Sequence, residues 1–157
     1  MARYHVDNRF AGTQQAITTT YKTQVTITAL TATLCRGRAV ALAYGPDSVP
    51  NATDCNIVYT IQRQTAAGTA TAATPNPLVP ADVASRSGAF VNYTAEGTYT
   101  LPIFSRALNQ RASQQWAAQD NDAMLLWPAT NIVGLALLAL SPTFNTAVFM
   151  GLDYEDQ

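Results

Sequence analysis

The clearest pattern along the chain is alternation. Over residues 36–44, Arg36, Arg38, Val40, Leu42 and Tyr44 fall on one side and Gly37, Ala39, Ala41 and Ala43 on the other. A period of two marks a strand with two unlike faces. A face made only of Gly and Ala lets another layer, or another chain, approach closely. The run GPDSVPNATD follows, dense in turn formers. Residues 56–64 come next, with Ile57, Tyr59 and Ile61 alternating against Val58, Thr60 and Gln62. These two stretches predict an antiparallel pair. Upstream, residues 4–10 and 18–30 read as extended, and in the second Val25, Ile27 and Ala29 oppose Thr26, Thr28 and Leu30. Downstream, strands are predicted over residues 89–95, 98–104, 112–119, 124–127, 132–140 and 147–154. Helical periodicity is nearly absent, although the Gln-rich residues 108–118 also admit a helix. Short strands divided by turn clusters predict an all-β, jelly-roll-like β-sandwich of about 8–10 antiparallel strands, in two sheets of four or five. Residues 1–157 form a single domain on this reading.

Two regions break the pattern. Residues 65–80, TAAGTATAATPNPLVP, carry three prolines that remove backbone donors. They predict one long Pro/Ala/Thr surface loop. Residues 80–85, PADVAS, predict a single helical turn with proline at its first position.

Composition narrows the function. Charged residues make up only 12% of the 157-residue chain, and the net charge is −1. Neither the basic stripe of a nucleic-acid binder nor a polybasic membrane anchor is present. No apolar run approaches the ~20 residues that span a bilayer. MARYHVDNRF has no apolar core after its first basic residue, so synthesis in a cytosol without a secretory signal is expected. A weakly charged surface rich in Thr, Ala and Gln suits packing against copies of itself or against a scaffold.

Candidate chemistry is sparse. His5 is the single histidine, and no G-x-S-x-G elbow exists for it to serve. Asp120, Asn121 and Asp122 resemble a fragment of a calcium loop, but position twelve is Asn131, where a glutamate is required. A hairpin turn accounts for the triplet. Glu96 and Glu155 are the only glutamates, and nothing pairs them as glycosidase carboxylates. Phosphate-binding glycine loops are missing. The sequons at Asn51 and Asn92 mean little without a signal peptide. Cys35 and Cys55 lack zinc spacing and are expected to be unbonded, small apolar side chains. Trp116 and Trp127 are expected to fill the core, with a sugar-binding aromatic face as the sharper alternative. No catalytic residue, metal or cofactor is assigned.

Three stretches carry a resemblance. They are ARYHVDNRFAGTQQAITTTYKT, YTIQRQTAAGTATAATPNPLVPADVAS and LNQRASQQWAAQDNDAMLLWPATNIVGLALLALSPTF. Together they resemble the head decoration, or capsid cement, proteins of tailed bacteriophages, which have a jelly-roll fold. The resemblance implies a homotrimer on the outer surface of a virion, clamping neighbouring copies of a major capsid protein. It carries over no catalytic residue. The leading contact segments are then residues 2–12, with Tyr4, Val6 and Phe10, and the 65–80 loop, with Thr69, Thr71, Pro75, Asn76, Pro77 and Leu78. A terminal strand can add to a partner's sheet edge, and a proline-stiffened loop loses less entropy on docking. The alternative function is a carbohydrate-binding or adhesin module of a phage tail, resting on Trp116 or Trp127.

Overall fold

A computed structural model describes every residue except Met1, Ala11, Thr13 and residues 120–124. The Asp120-Asn121-Asp122 turn therefore lies outside the described residues. The described strands are β1 (Arg3–Asp7), β2 (Lys22–Ala29), β3 (Gly37–Pro46), β4 (Asn56–Ala66), β5 (Thr69–Ala73), β6 (Asn76–Pro77), β7 (Ser87–Ala95), β8 (Thr98–Tyr99), β9 (Phe104–Asn109), β10 (Gln114–Ala117), β11 (Leu125–Trp127), β12 (Gly134–Leu140) and β13 (Val148–Asp156). They form two antiparallel sheets packed as a jelly-roll-like sandwich. One sheet runs β10-β3-β13-β1-β6 with β11 also on β3, and the other runs β5-β7-β2-β12-β4-β8 with β9 also on β4. The fold class is the one expected; the strand count is higher. The expected 65–80 loop contributes the end of β4, β5 and β6, and the 98–104 segment divides into β8 and the start of β9.

The expected β3–β4 pair does not form. β3 pairs with β13, β10 and β11, and β4 with β12, β8 and β9. The two strands lie in different sheets, because residues 47–55 between them cross the sandwich rather than close a hairpin. Their side chains still meet: the Tyr44 and Tyr59 rings contact each other across the core, tilted by 45° with centroids 5.0 Å apart. Cys35 and Cys55 are both unbonded.

The uniform Gly/Ala face of β3 is also corrected. The register with β13 steps from Asp153↔Ala41 to Tyr154↔Ala39, leaving Val40 as an extra residue. A bulge exchanges the two faces of a strand. Gly37 and Ala39 therefore point inward at one end, and Leu42 and Tyr44 point inward at the other. The missing side chain at Gly37 makes room for Trp127: a Cβ there would lie 2.0 Å from Trp127 Cζ2. Ala41 and Ala43 stay on the outer face.

The core sits between the sheets. Tyr4, Val6, Leu152 and Tyr154 from one sheet meet Val25, Ile27, Ile61 and Leu137 from the other. β12, GLALLAL, is apolar throughout because nearly every position is buried, on both faces. Its neighbour β2 is covered likewise, with Thr26 and Thr28 buried on the side away from the main core. Two short turns roof that side. Residues 67–68 join β4 to β5, and residues 96–97 join β7 to β8. They interlock so closely that a Cβ on Gly68 would lie 2.3 Å from the Ala95 carbonyl oxygen. The Tyr93 hydroxyl donates to Thr26 Oγ1 at 2.6 Å beneath this roof.

Candidate functional site

The outer face of the β13 sheet gathers much of the chain's small charge. Arg3, Glu155 and Arg38 stand opposite one another across β1, β13 and β3. The buried Glu155 carboxylate accepts from Arg3 Nε at 2.7 Å and from Arg38 Nε at 2.7 Å. Burial pushes the Glu155 carboxyl up, but the two guanidiniums outweigh it and hold the group below its ordinary value. Two register positions along, on the same face, His5 Nδ1 lies 2.6 Å from Asp153 Oδ1 and Nε2 lies 3.3 Å from Asp7 Oδ2. The Asp153 hydrogen bond raises the His5 pKa, assisted by Asp7 and opposed by burial. Both ring nitrogens face carboxylates, so neither faces a hydroxyl or thiol that it could activate. Beyond them, Arg9 pairs with Asp47 and lies 4.8 Å over the Phe149 ring. These charges satisfy one another and leave no convergent acid–base pair. Among the described residues no group of three His, Cys, Asp or Glu is placed to hold a metal ion.

The residues singled out from sequence divide sharply. Tyr4 and Val6 are core side chains, 2% and 0% exposed, so they cannot serve as surface contacts. Nor is β1 a free edge: β13 covers one side and β6 covers Tyr4 and His5 on the other. Its alternation of Tyr4 and Val6 with Arg3, His5 and Asp7 is that of an interior strand. Pro75 is buried and Pro77 half-buried, because β6 docks on β1 and fixes the corner between the two sheets. Thr69, Thr71, Asn76 and Leu78 are exposed, while Phe10 packs half-buried against the core.

Leu78 opens a feature that sequence reasoning saw only at its first residue. Leu78, Val79 and Val83 are 50%, 53% and 74% exposed. The segment has a turn at Asp82, whose amide donates to the Val79 carbonyl, and no helix. It is pinned along its length. The Leu78 amide donates to the Arg3 carbonyl at 2.8 Å, and the Tyr4 hydroxyl to the Val83 carbonyl at 2.9 Å. Ser85 Oγ then donates to Asp156 Oδ2 at 2.9 Å. The result is an ordered apolar ridge beside the β5/β6 edge. Its signal was legible in LVPADV, four apolar residues among six with no strand partner.

At the opposite side edge, where β8 and β9 border β4, Leu101 is 85% exposed and Ile103 42%. The Phe104 ring there packs edge-on to Trp116 at 6.0 Å. Trp116 is half-buried in this contact, and Trp127 is 1% exposed beneath Gly37. The core expectation holds for Trp127, and neither indole lies open as a sugar platform.

A third feature, also missed from sequence, lies under the roof of the β12 sheet. A cavity of about 130 Å³ is lined by Thr28, Gln64, Phe90, Tyr93, Asn131 and Ile132, among others. No motif announces it, because its residues come from four strands, β2, β4, β5 and β7, and two connections. The chain matches no protein-family model, no curated protein and no solved structure.

Proposed function

We propose that the chain is a non-enzymatic structural virion protein that closes into a homotrimer and decorates the outside of a phage capsid, clamping neighbouring capsid subunits. The observation that carries this reading is the pair of unlike apolar patches on opposite side edges: the ridge of Leu78, Val79 and Val83, and the cluster of Leu101 and Ile103. Exposed apolar patches mark interaction surfaces. Two different patches on opposite edges suit a head-to-tail contact, which closes into a ring if the rotation allows, whereas a twofold dimer would use one patch twice. The anchored backbone of the ridge lowers the entropy lost on contact. Mutual pairing of the surface charges leaves little long-range steering, so binding should depend only mildly on salt. The capsid location itself rests on the resemblance of the three stretches quoted above. The remaining surface candidates for shell or subunit contact are Thr69, Thr71, Asn76 and Leu78.

Light scattering tests the ring. The wild type is expected to be a trimer at micromolar concentration, and Leu78→Asp and Leu101→Asp each a folded monomer. Because each variant keeps one intact patch, an equimolar mixture should give a heterodimer. A wild type that stays monomeric throughout contradicts solution trimerisation, and a mixture that stays monomeric contradicts the head-to-tail contact.

A further inference from the structure

An open slot of about 420 Å³ is lined by Arg36, Arg63, Leu126, Trp127, Pro128 and Val133. Both sheets contribute to it. Arg36 precedes β3 and Leu126 and Trp127 belong to β11 in one sheet, whereas Arg63 belongs to β4 and Val133 leads into β12 in the other. Its walls are largely apolar: Trp127 is buried, Pro128 and Val133 are half-buried, and Leu126 is 40% exposed. Arg63 continues the inward row of Ile57, Tyr59 and Ile61. Its guanidinium reaches the other sheet, where Nη1 donates to the Leu126 carbonyl at 2.7 Å. That bond uses one of five N–H donors. The Arg36 carbonyl accepts from the Gln157 amide at 2.7 Å, which fixes the backbone beside the slot, and the Arg36 side chain is exposed. Arg3, Arg9, Lys22, Arg38 and Arg111 each pair with a carboxylate. Among the described residues, no carboxylate pairs with Arg36 or Arg63.

We propose that this slot docks an extended acidic segment of a partner polypeptide, with a carboxylate on each guanidinium and an apolar side chain between them. Charge complementarity sets the first requirement, since a guanidinium fork matches a carboxylate in charge and in shape. The walls set the second, because Leu126, Pro128 and Val133 leave water when an aliphatic side chain covers them. An extended chain meets both, as its positions i, i+2 and i+4 share one face. A nucleic-acid strand fits less well: its bases need open aromatic faces, and Trp127 is 1% exposed. The slot shares no residue with the Leu78 ridge or the Leu101 and Ile103 cluster, so it stands apart from the decoration reading.

The test is a titration of the isotope-labelled protein followed by amide chemical shifts. The probe is the end-blocked peptide EVLVE, with QVLVQ and EVSVE as controls. EVLVE is expected to shift Leu126, Trp127 and Val133 in a saturable way, at least about tenfold tighter than QVLVQ and about fivefold tighter than EVSVE. Arg36→Gln combined with Arg63→Gln should make EVLVE and QVLVQ bind equally. Leu126→Asp, which sets a carboxylate inside the slot, should abolish binding of EVLVE. No saturable shift with EVLVE, equal wild-type affinity for EVLVE and QVLVQ, or binding unchanged by Leu126→Asp would each overturn the proposal. Oligothymidine that shifts the same residues at lower concentration than EVLVE would give the slot to a nucleic acid and overturn it too. Should the double arginine variant fail to fold, the exposed Arg36→Gln alone, expected to lose at least about threefold, decides it together with the wild-type comparison.

Discussion

At the scale of single residues, the outer face of the β13 sheet makes stability depend on pH from both sides. Glu155 is held below its ordinary value in the folded protein. Its contribution is complete above about 4.5 and is lost as pH falls further. His5 is raised by Asp153 and Asp7. Its contribution is complete below about 6.5 and is lost as pH climbs past its folded value. The melting temperature should therefore peak between these limits. Glu155→Gln should shrink the acid limb and His5→Asn the alkaline limb; variants whose profiles parallel the wild type would refute the assignment. Gly37 supplies a packing test. A methyl group there collides with Trp127, so Gly37→Ala should cost about 2 kcal/mol in denaturant unfolding through overpacking.

At the scale of elements, legibility followed period-two alternation. β2, β4 and β13 alternate in sequence and are strands in the structure near the expected bounds. The partner choice of β3 and β4 was illegible, because alternation names a face and not a neighbour, and a long connection is compatible with a sandwich crossing. The bulge at Val40 was illegible for a related reason: Ala39 and Ala41 look alike in sequence yet face opposite ways. Prolines misled at residues 65–80: β5 holds none, and Pro77 sits in β6, a short sheet edge that tolerates it. Of the candidate contacts, only the exposed Thr, Asn and Leu positions were usable, and the apolar ridge was glimpsed through Leu78 alone. β1 is the element whose role changed most. Asn8 extends its ladder: the Met150 amide donates to Asn8 Oδ1 at 3.1 Å, and Asn8 Nδ2 donates to the Val148 carbonyl at 2.7 Å. Asn8→Ala strands these buried groups and should cost about 2–3 kcal/mol. Deleting residues 2–12 removes Tyr4 and Val6 from the core and should abolish cooperative unfolding, so the contact surface is best probed by point substitutions.

At the scale of the whole molecule, the architecture separates rigidity from recognition. The first and last described strands pair through Tyr4↔Tyr154 and Val6↔Leu152 and so lie side by side in one sheet. Several of the charges are paired with one another, and two groups of exposed apolar side chains, Leu78, Val79 and Val83 and then Leu101 and Ile103, lie at the side edges. A scaffold of this kind can engage several neighbours at once, and an oligomer that does so binds far more tightly than one copy. For the proposed decoration role, the most direct measurement is co-sedimentation of purified protein with undecorated phage heads. Wild type should pellet with the heads at both 50 mM and 300 mM salt, within a factor of about three, whereas Leu78→Asp should remain largely in the supernatant. Wild-type protein that never pellets with those heads would contradict the account.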